Sequence, residues 1–178
     1  MICNVFGYRR EQREISFPVP TDEQAEMVGN FYMVKFDLIR LQKGDISVLY
    51  NVFFYNDAAI MLPESKYELN QLMSLLQDNP AIKIVLHGHT NGNALGKIVT
   101  MGISKDFFSL TKDVKTGSGS SKELSNQRAI VIREWLLANG VAADRVTVKP
   151  WGGKRMLHDK NSVHAKKNIR VEVEVVED

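Results

Sequence analysis

From Ile46 to the end of the chain, short apolar runs typical of strands alternate with segments in which apolar residues recur at helical spacing. Strands and helices are predicted, in order, at Ile46–Tyr55, Glu64–Asp78, Ala81–Leu86, Ser121–Asn139, Arg145–Lys149 and Ile169–Val175. This β-α-β-α-β-β order indicates an α/β fold, with helices packed on a sheet of three or four strands. Because crossovers between neighbouring parallel strands are right-handed, both helices are expected on one face of the sheet.

The first 45 residues form a smaller region with a different pattern. The segment Phe17–Asp22 is rich in turn-forming residues, and Phe31–Ile39 is dense in the aromatic and β-branched residues that favour strands. This region is too small to hold a core alone. Residues 1–45 are therefore interpreted as a β-rich appendage, either the end of an upstream β domain or strands added to a domain of residues 46–178.

Composition restricts the classes of function. The chain has 178 residues, 44% of them hydrophobic and 25% charged, which is typical of a globular protein. A formal net charge of +2 does not by itself indicate a nucleic-acid partner, and no apolar run is long enough to predict a membrane span. The first twelve residues lack the apolar region of a secretory signal, so the chain is either cytosolic or a piece of a longer exported protein.

A long segment, residues 92–120, separates the second predicted strand from the second helix. Segments of this length inside a compact domain are usually functional or mobile. Phe107 and Phe108 are expected to dock on the domain, because two exposed phenylalanines would leave an apolar patch. The Gly/Ser-rich end, Lys115–Ser121, is expected to be flexible.

The residues best suited to bind a ligand lie at the two ends of this segment. Thr90 and Asn91 follow the second predicted strand, and ligand crevices of α/β sheets lie at the carboxyl ends of strands. Arg128 lies one helical turn after Leu124, beside the apolar stripe of the second helix. An arginine held there is suited to a two-point grip on a carboxylate. The alternative is a structural salt bridge from Arg128 to Glu64 or Asp57.

Other chemistries are not expected. The segment Gly92–Ile98 follows a strand, but its glycines are too close for a phosphate loop, and Ile98 stands where Ser or Thr would contact magnesium. The single cysteine, Cys3, and the absence of paired histidines at helical spacing argue against a metal site. No nucleophile–base pair and no paired carboxylates are visible, so neither an enzyme nor a cofactor is predicted.

Basic residues are frequent near the last two strands. They are Lys149, Lys154, Arg155, Lys160, Lys166, Lys167 and Arg170. Such a stretch is usually a solvated face, and it could also contact an anionic glycan or a partner protein. No aromatic ladder interleaves it, so nucleic acid is not expected as a partner.

An ordered set of short motifs resembles the OmpA C-terminal domain family, which includes peptidoglycan-associated lipoproteins and flagellar stator proteins. The matching pieces are Pro63-Glu64-Ser65, Asn79-Pro80, Gly88-His89-Thr90, Leu124-Ser125, Arg128-Ala129, Gly140-Val141, Asp144-Arg145, Gly152 and Asn168-Ile169-Arg170-Val171-Glu172. The resemblance runs from about Asn51 to Val176. The long form of the segment after His89 is similar to versions common in the Bacteroidetes phylum.

The resemblance implies a β-α-β-α-β sandwich and non-covalent binding of peptidoglycan through the diaminopimelate residue of its stem peptide. It also implies a periplasmic, outer-membrane-associated location, as part of a longer exported protein with possible envelope protein partners. By position, Arg128 would hold the diaminopimelate carboxylate. The other ligand-binding positions implied are Thr90, Asn91, Ser121, Leu124, Asn168 and Arg170.

One implied contact departs from the family pattern. The family has an aspartate that holds the ligand ammonium where this chain has Asn91. A charge-assisted hydrogen bond contributes about 1.5–3 kcal/mol and a neutral one about 1, so binding is expected to weaken by about tenfold or more. Asp106 or Asp113 of the inserted segment is a candidate to restore the charge, and Asn91→Asp is expected to strengthen binding. Asn91, Arg128 and Arg170 are expected to converge on one crevice.

The same departure keeps a second function open. A domain with this fold that had lost or altered its ligand would be a protein-interaction module in an envelope secretion or motility assembly. The asparagine at position 91 and the long insertion favour this alternative. Arg128 and the Arg170 motif favour peptidoglycan binding.

Overall fold

The computed structural model describes residues 1–3, 5, 7–15 and 25–177. The chain divides into two compact units, Met1–Leu41 and Gln42–Asp178. The first unit contains two antiparallel strand pairs, formed by β1 (Ile2–Cys3), β2 (Glu11–Gln12), β3 (Ala25–Val28) and β4 (Phe31–Val34). The strand predicted at Phe31–Ile39 is thus present but ends at Val34. The turn-rich segment expected at residues 17–22 lies outside the described residues.

The second unit is built on a four-stranded mixed sheet. Its elements are β5 (Ile46–Val48), α1 (Lys66–Asp78), β6 (Lys83–His89), β7 (Leu95–Thr100), β8 (Lys115–Ser120), α2 (Ser121–Ala138), β9 (Val146–Gly152) and β10 (Arg170–Glu177). The strand order is β5-β10-β6-β9. Strands β6 and β9 are parallel, and β10 runs antiparallel to both β5 and β6. The predicted α/β class, with two main helices on one face of a mixed sheet, is confirmed.

Strand and helix periodicity produce one core between the sheet and the helices. Ile84 and Leu86 of β6 alternate with the less buried Lys83 and Val85 and are fully buried, as are the aligned valines of β10. Helix α1 buries Leu69, Leu72 and Leu76, which lie three and four residues apart on one stripe. Helix α2 passes so close to β6 that a Cβ added at Gly88 would lie 2.1 Å from the backbone oxygen of Ser125.

The opposite face of the sheet carries a buried polar network. His87 accepts a hydrogen bond at Nδ1 from the indole N–H of Trp151, at 2.9 Å. Because indole is only a donor, the ring proton of a neutral His87 lies on Nε2, which donates to Glu174 at 2.7 Å. His89 is 1% exposed, and its Nε2 lies 3.2 Å from Glu172. These side chains alternate with the core residues along β6 and β10.

Strand β5 is shorter than the strand predicted at Ile46–Tyr55. The Leu49 amide still donates to the Val171 carbonyl of β10 at 2.9 Å, but beyond it the backbone turns to residues at the start of α1. The amide of Asn51 donates to the Glu68 carboxylate, and the amide of Phe53 donates to the Ser65 hydroxyl at 2.9 Å. Burial raises the pKa of Glu68, an effect that the hydrogen bond from the Asn51 amide opposes.

The inserted segment contains a β-hairpin that the sequence did not indicate. Strands β7 and β8 pair antiparallel from Leu95↔Ser120 to Thr100↔Lys115. The expectation that Lys115–Ser121 is flexible was therefore wrong, because its backbone hydrogen bonds are satisfied by β7 despite the Gly/Ser composition. The hairpin is held on the domain by Val99, which packs in a buried cluster with Ala58 and Ile60.

The loop between the hairpin strands docks on the helical side of the domain. Phe108 meets Trp135 of α2 edge-on, with 6.3 Å between ring centroids, and the carbonyl of Phe107 accepts a hydrogen bond from the Met61 amide at 2.9 Å. Both phenylalanines are partly buried. The docked patch predicted at Phe107 and Phe108 is confirmed.

No helix in the described part of the chain is long and apolar enough to cross a membrane.

Candidate functional site

A cavity of about 460 Å³ opens where β6 ends, between the β7–β8 hairpin, the first turns of α2 and the loop before α1. We call it the Arg128 cavity. Its lining includes Phe54, Asn56, Asp57, Thr90, Asn91, Leu95, Lys97, Ser121, Leu124, Arg128 and Ile169. The location agrees with the expectation of a crevice at the carboxyl end of the second predicted strand, which corresponds to β6. The inserted hairpin supplies one wall of the cavity.

Five of the predicted site residues line this cavity together: Thr90, Asn91, Ser121, Leu124 and Arg128. Hydrogen bonds at the cavity rim hold two of them in place. The Thr90 amide donates to the Gly152 carbonyl at 3.0 Å, and the Ser121 hydroxyl donates to the Ala94 carbonyl at 2.8 Å. These bonds tie the end of β6 to β9, and the start of α2 to the segment before β7.

Arg128 is the central charged group of the cavity. It is 5% exposed, its Nε donates to the Ala58 carbonyl at 2.9 Å, and its guanidinium carbon lies 5.0 Å from the centre of the Phe54 ring. Within the described residues no carboxylate lies within 4.0 Å of it, so the alternative of a salt bridge to Glu64 or Asp57 is not realised. Among those same residues its two terminal nitrogens make no hydrogen bond.

The electrostatic setting keeps Arg128 charged at neutral pH. Burial lowers the pKa of its guanidinium to about 10, and the negative charge of nearby Asp57 opposes this shift. The two terminal nitrogens are donors with no partner among the described residues, on a side chain that lines the cavity. They can bind a carboxylate through two parallel hydrogen bonds.

Asn91 reaches the cavity but also has a structural role. Its Oδ1 accepts a hydrogen bond from Asn168 at 2.9 Å, and its Nδ2 donates to the Lys160 carbonyl at 3.0 Å. One lone pair of the amide oxygen remains for a ligand. Asn91 therefore connects the end of β6 to the segment that leads into β10.

Asn168 does not line the Arg128 cavity, because its side chain is turned into the protein. It is fully buried, and its Oδ1 accepts hydrogen bonds from the amides of Leu157 and His158 at 2.8 and 3.0 Å. Its Nδ2 donates to Asn91 and to the His158 carbonyl. Both donors and both acceptor positions of the amide are thus occupied within the chain.

Arg170 does not converge on the Arg128 cavity, and that expectation was wrong. It lines a second cavity of about 430 Å³, which is lined mainly by apolar side chains. It pairs with Glu172, with 2.6 Å between Nη2 and Oε1, and donates to the Arg155 carbonyl at 3.1 Å. The physical reason is strand alternation: Arg170 and Glu172 point to the face of β10 opposite the buried valines.

The acid of the Arg128 cavity is Asp57, which sequence reasoning had weighed only as a salt-bridge partner. It is exposed and has a positive φ of 51°, a backbone conformation that Asn and Asp tolerate better than most residues. The candidates from the insertion do not line the cavity. Asp106 accepts hydrogen bonds from Phe108 and Ser109, and Asp113 does so from Ser104 and Thr111. The sequence feature that could have indicated Asp57 is the polar pair Asn56-Asp57 in the loop before α1.

Metal binding finds no support in the described residues, where no three His, Cys, Asp or Glu side chains are grouped as ligands.

Residues 53–170 match the OmpA family. The chain matches no curated protein by sequence. Among solved structures, the periplasmic domain of Helicobacter pylori MotB is similar, with 18% identity, a TM-score of 0.53, and coverage of 75% of this chain and 81% of that one. The cell wall anchor of the type VI secretion system (T6SS) from Pseudomonas aeruginosa is 18% identical, with a TM-score of 0.51 and coverage of 71% and 76%.

The peptidoglycan-associated lipoprotein from Burkholderia pseudomallei is 16% identical, with a TM-score of 0.50 and coverage of 71% of this chain and 88% of that one. At these identities the likeness shows a shared fold. The family match covers most of the second unit, including Arg128 and the strands around it. The chain belongs to the OmpA family.

Proposed function

We propose that this domain binds peptidoglycan non-covalently, with the diaminopimelate residue of the stem peptide in the Arg128 cavity. The observation that carries the proposal is the state of Arg128: it is buried and charged, and it makes a single hydrogen bond within the described part of the chain. The domain would thereby anchor a longer exported envelope protein, or its complex, to the cell wall in the periplasm. Two proteins of similar fold are named as a cell wall anchor and a peptidoglycan-associated lipoprotein, which supports the proposal.

The chemistry of the ligand fits the cavity. The free end of diaminopimelate carries a carboxylate and an ammonium on one carbon, and an aliphatic chain links it to the stem peptide. The carboxylate would take both terminal nitrogens of Arg128 in a two-point contact. The aliphatic chain would pack against Leu124 and Phe54, with Thr90, Asn91 and Ser121 at the polar rim. No covalent step is involved, so attachment is reversible.

Cosedimentation with purified sacculi tests the proposal. Arg128→Ala should lose binding by about 100-fold or more, because truncating one partner of a buried charge pair costs 2–5 kcal/mol or more. Lys112→Ala is the matched control, since it removes one positive charge from an exposed position in the insertion. It should sediment like wild type, and free meso-diaminopimelate should release both from the sacculi.

Folding has to be controlled in the same experiment. Arg128→Ala leaves the Ala58 carbonyl without its donor, so thermal unfolding should be recorded for each variant. Arg128→Lys keeps the charge and loses the two-point geometry, and intermediate binding is expected. If folded Arg128→Ala sediments like wild type, the proposal is wrong.

The second candidate function is an OmpA-like interaction module in an envelope secretion or motility assembly, with lost or altered peptidoglycan binding. The neutral Asn91 and the hairpin wall of the cavity favour it. The two candidates differ in one result: an interaction module without the ligand would leave folded wild-type protein in the supernatant with sacculi.

A further inference from the structure

We propose that Asp57 binds the ammonium of the ligand, in place of the residue at position 91, and makes the site selective for ligands that carry both charges on one carbon. The inference rests on the proposed function and deepens it. It identifies the second of two opposite charges in the Arg128 cavity. The cavity would otherwise attract any carboxylate.

The first support is the distribution of charge in the cavity. Among the lining residues in the described part of the chain, Asp57 is the one acid, against the cations Arg128 and Lys97. Asp57 is close enough to act electrostatically on Arg128, yet the two side chains share no hydrogen bond and no ion pair within 4.0 Å. Opposite charges are thus held near each other without neutralising each other directly. A zwitterionic group between them would satisfy both.

The second support is the way the backbone holds the pair. The Val99 amide of β7 donates to the Asp57 carbonyl at 2.8 Å, and the Ala59 amide donates to the Val99 carbonyl at 2.8 Å. Between them, Ala58 supplies the carbonyl that binds Arg128. One strand of the inserted hairpin therefore fixes the positions of both charged groups. Asp57 also has a positive φ of 51°, and such conformations cluster at ligand sites.

The third support is that the other candidate acceptors are uncharged or lie outside the cavity. The amide of Asn91 already bonds to Asn168 and to the Lys160 carbonyl, and it carries no charge. Asp106 and Asp113 close turns within the insertion and do not line the cavity. Asp57 is exposed, and its side chain has no such engagement among the described residues.

Three synthetic tripeptides separate the two charges of the ligand. All have the form L-alanyl-γ-D-glutamyl-X, where X is meso-diaminopimelate, 2-aminopimelate or L-lysine. Aminopimelate keeps the carboxylate that Arg128 would bind and lacks the ammonium. Lysine keeps the ammonium and lacks that carboxylate. Affinities are measured by calorimetry on the full chain, for wild type, Asp57→Asn and the charge-matched control Asp106→Asn.

Wild type and Asp106→Asn should bind the diaminopimelate peptide about tenfold more tightly than the aminopimelate peptide. Asp57→Asn should lose that preference by weakening diaminopimelate binding while leaving aminopimelate binding unchanged. Asparagine keeps the shape and tolerates the positive φ, so the fold should be preserved. Equal preference in Asp57→Asn and wild type would overturn the inference alone. Undiminished binding of the diaminopimelate peptide by Arg128→Ala, or no binding by wild type, would overturn the proposed function as well.

Discussion

Asn168 donates a hydrogen bond from Nδ2 to Oδ1 of Asn91 across 2.9 Å, and Asn91 in turn donates from Nδ2 to the Lys160 carbonyl. These bonds join the end of β6 to the segment before β10. An aspartate at position 91 could accept the first bond but has no N–H group for the second. Asparagine at position 91 therefore makes a structural hydrogen bond, to the Lys160 carbonyl, that an aspartate could not make.

This relationship changes the expected effect of Asn91→Asp. From sequence alone the substitution should strengthen peptidoglycan binding. With the Lys160 carbonyl facing a carboxylate oxygen, we instead expect a loss of about 1 kcal/mol in the free energy of unfolding and no gain in sacculus binding while Asp57 is present. Urea denaturation and cosedimentation measure the two effects.

A double variant provides the control. In an Asp57→Asn background, Asn91→Asp returns a negative charge to the cavity and should recover part of the lost affinity. If Asn91→Asp alone improves binding about tenfold, which is about 1.4 kcal/mol, the ammonium lies at position 91, and the assignment to Asp57 is wrong.

Alanine should be destabilising at Gly88 and tolerated at Gly117. A Cβ at Gly88 would lie 2.1 Å from the backbone oxygen of Ser125, so Gly88→Ala must separate β6 from α2. We expect a loss of at least about 2 kcal/mol in the free energy of unfolding. Gly117 has nothing within 4 Å of the added Cβ, so Gly117→Ala should change stability by less than about 0.5 kcal/mol. Similar chemical denaturation midpoints for the two variants would contradict the close packing of β6 on α2.

Much of the fold was predictable because the spacing of apolar residues along the chain identifies its helices and strands. The stripe of Leu69, Leu72 and Leu76 and the alternating valines of β10 identify their elements without tertiary information. The hairpin was not predictable, since Lys115–Ser120 contains two glycines and only one residue that favours strands, Thr116, and is a strand because β7 lies beside it. The early end of β5 likewise depends on side chains of α1.

The site was predictable where family motifs place it. The resemblance located Arg128 and Asn91 at one cavity, but it misplaced Arg170. The side chain of Arg170 points away from that cavity because of the alternation along β10 and its ion pair with Glu172. Asp57 was missed as a cavity residue because its place follows from pairing between the loop before α1 and the inserted hairpin. That contact is non-local and has no sequence pattern of its own.

Phe108 should contribute measurably to stability although it lies in a loop. Its ring meets Trp135 edge-on, and the Lys66 ammonium lies 4.8 Å from its centre. Because the ring is only partly buried, Phe108→Ala should reduce the free energy of unfolding by about 1–3 kcal/mol. Ile103→Ala in the same loop is the control, since Ile103 is 89% exposed and should have no measurable effect. Equal melting temperatures for both variants would show that the loop is not docked in solution.

The last prediction concerns acid stability and Glu172. Its carboxylate lies 2.6 Å from Arg170 and 3.2 Å from His89. Burial opposes ionisation of this group, but the neighbouring His89 and Arg170 outweigh that effect and lower the pKa of Glu172 from 4.5 to about 2. An acid whose pKa is lower in the folded state stabilises the fold above its unfolded pKa, and this stabilisation is lost as the pH falls through the folded value.

Wild type should therefore lose free energy of unfolding as the pH falls from about 5 to about 2, and Glu172→Gln should lose less over the same window. Urea denaturation at a series of pH values measures the difference. Glu64→Gln, at an exposed position in the turn before α1, controls for the removal of one carboxylate. Its pH profile should follow that of wild type. If Glu172→Gln also follows wild type throughout, the coupling of Glu172 to Arg170 and His89 does not contribute to acid stability, and the buried polar face of the sheet is stabilised by other contacts.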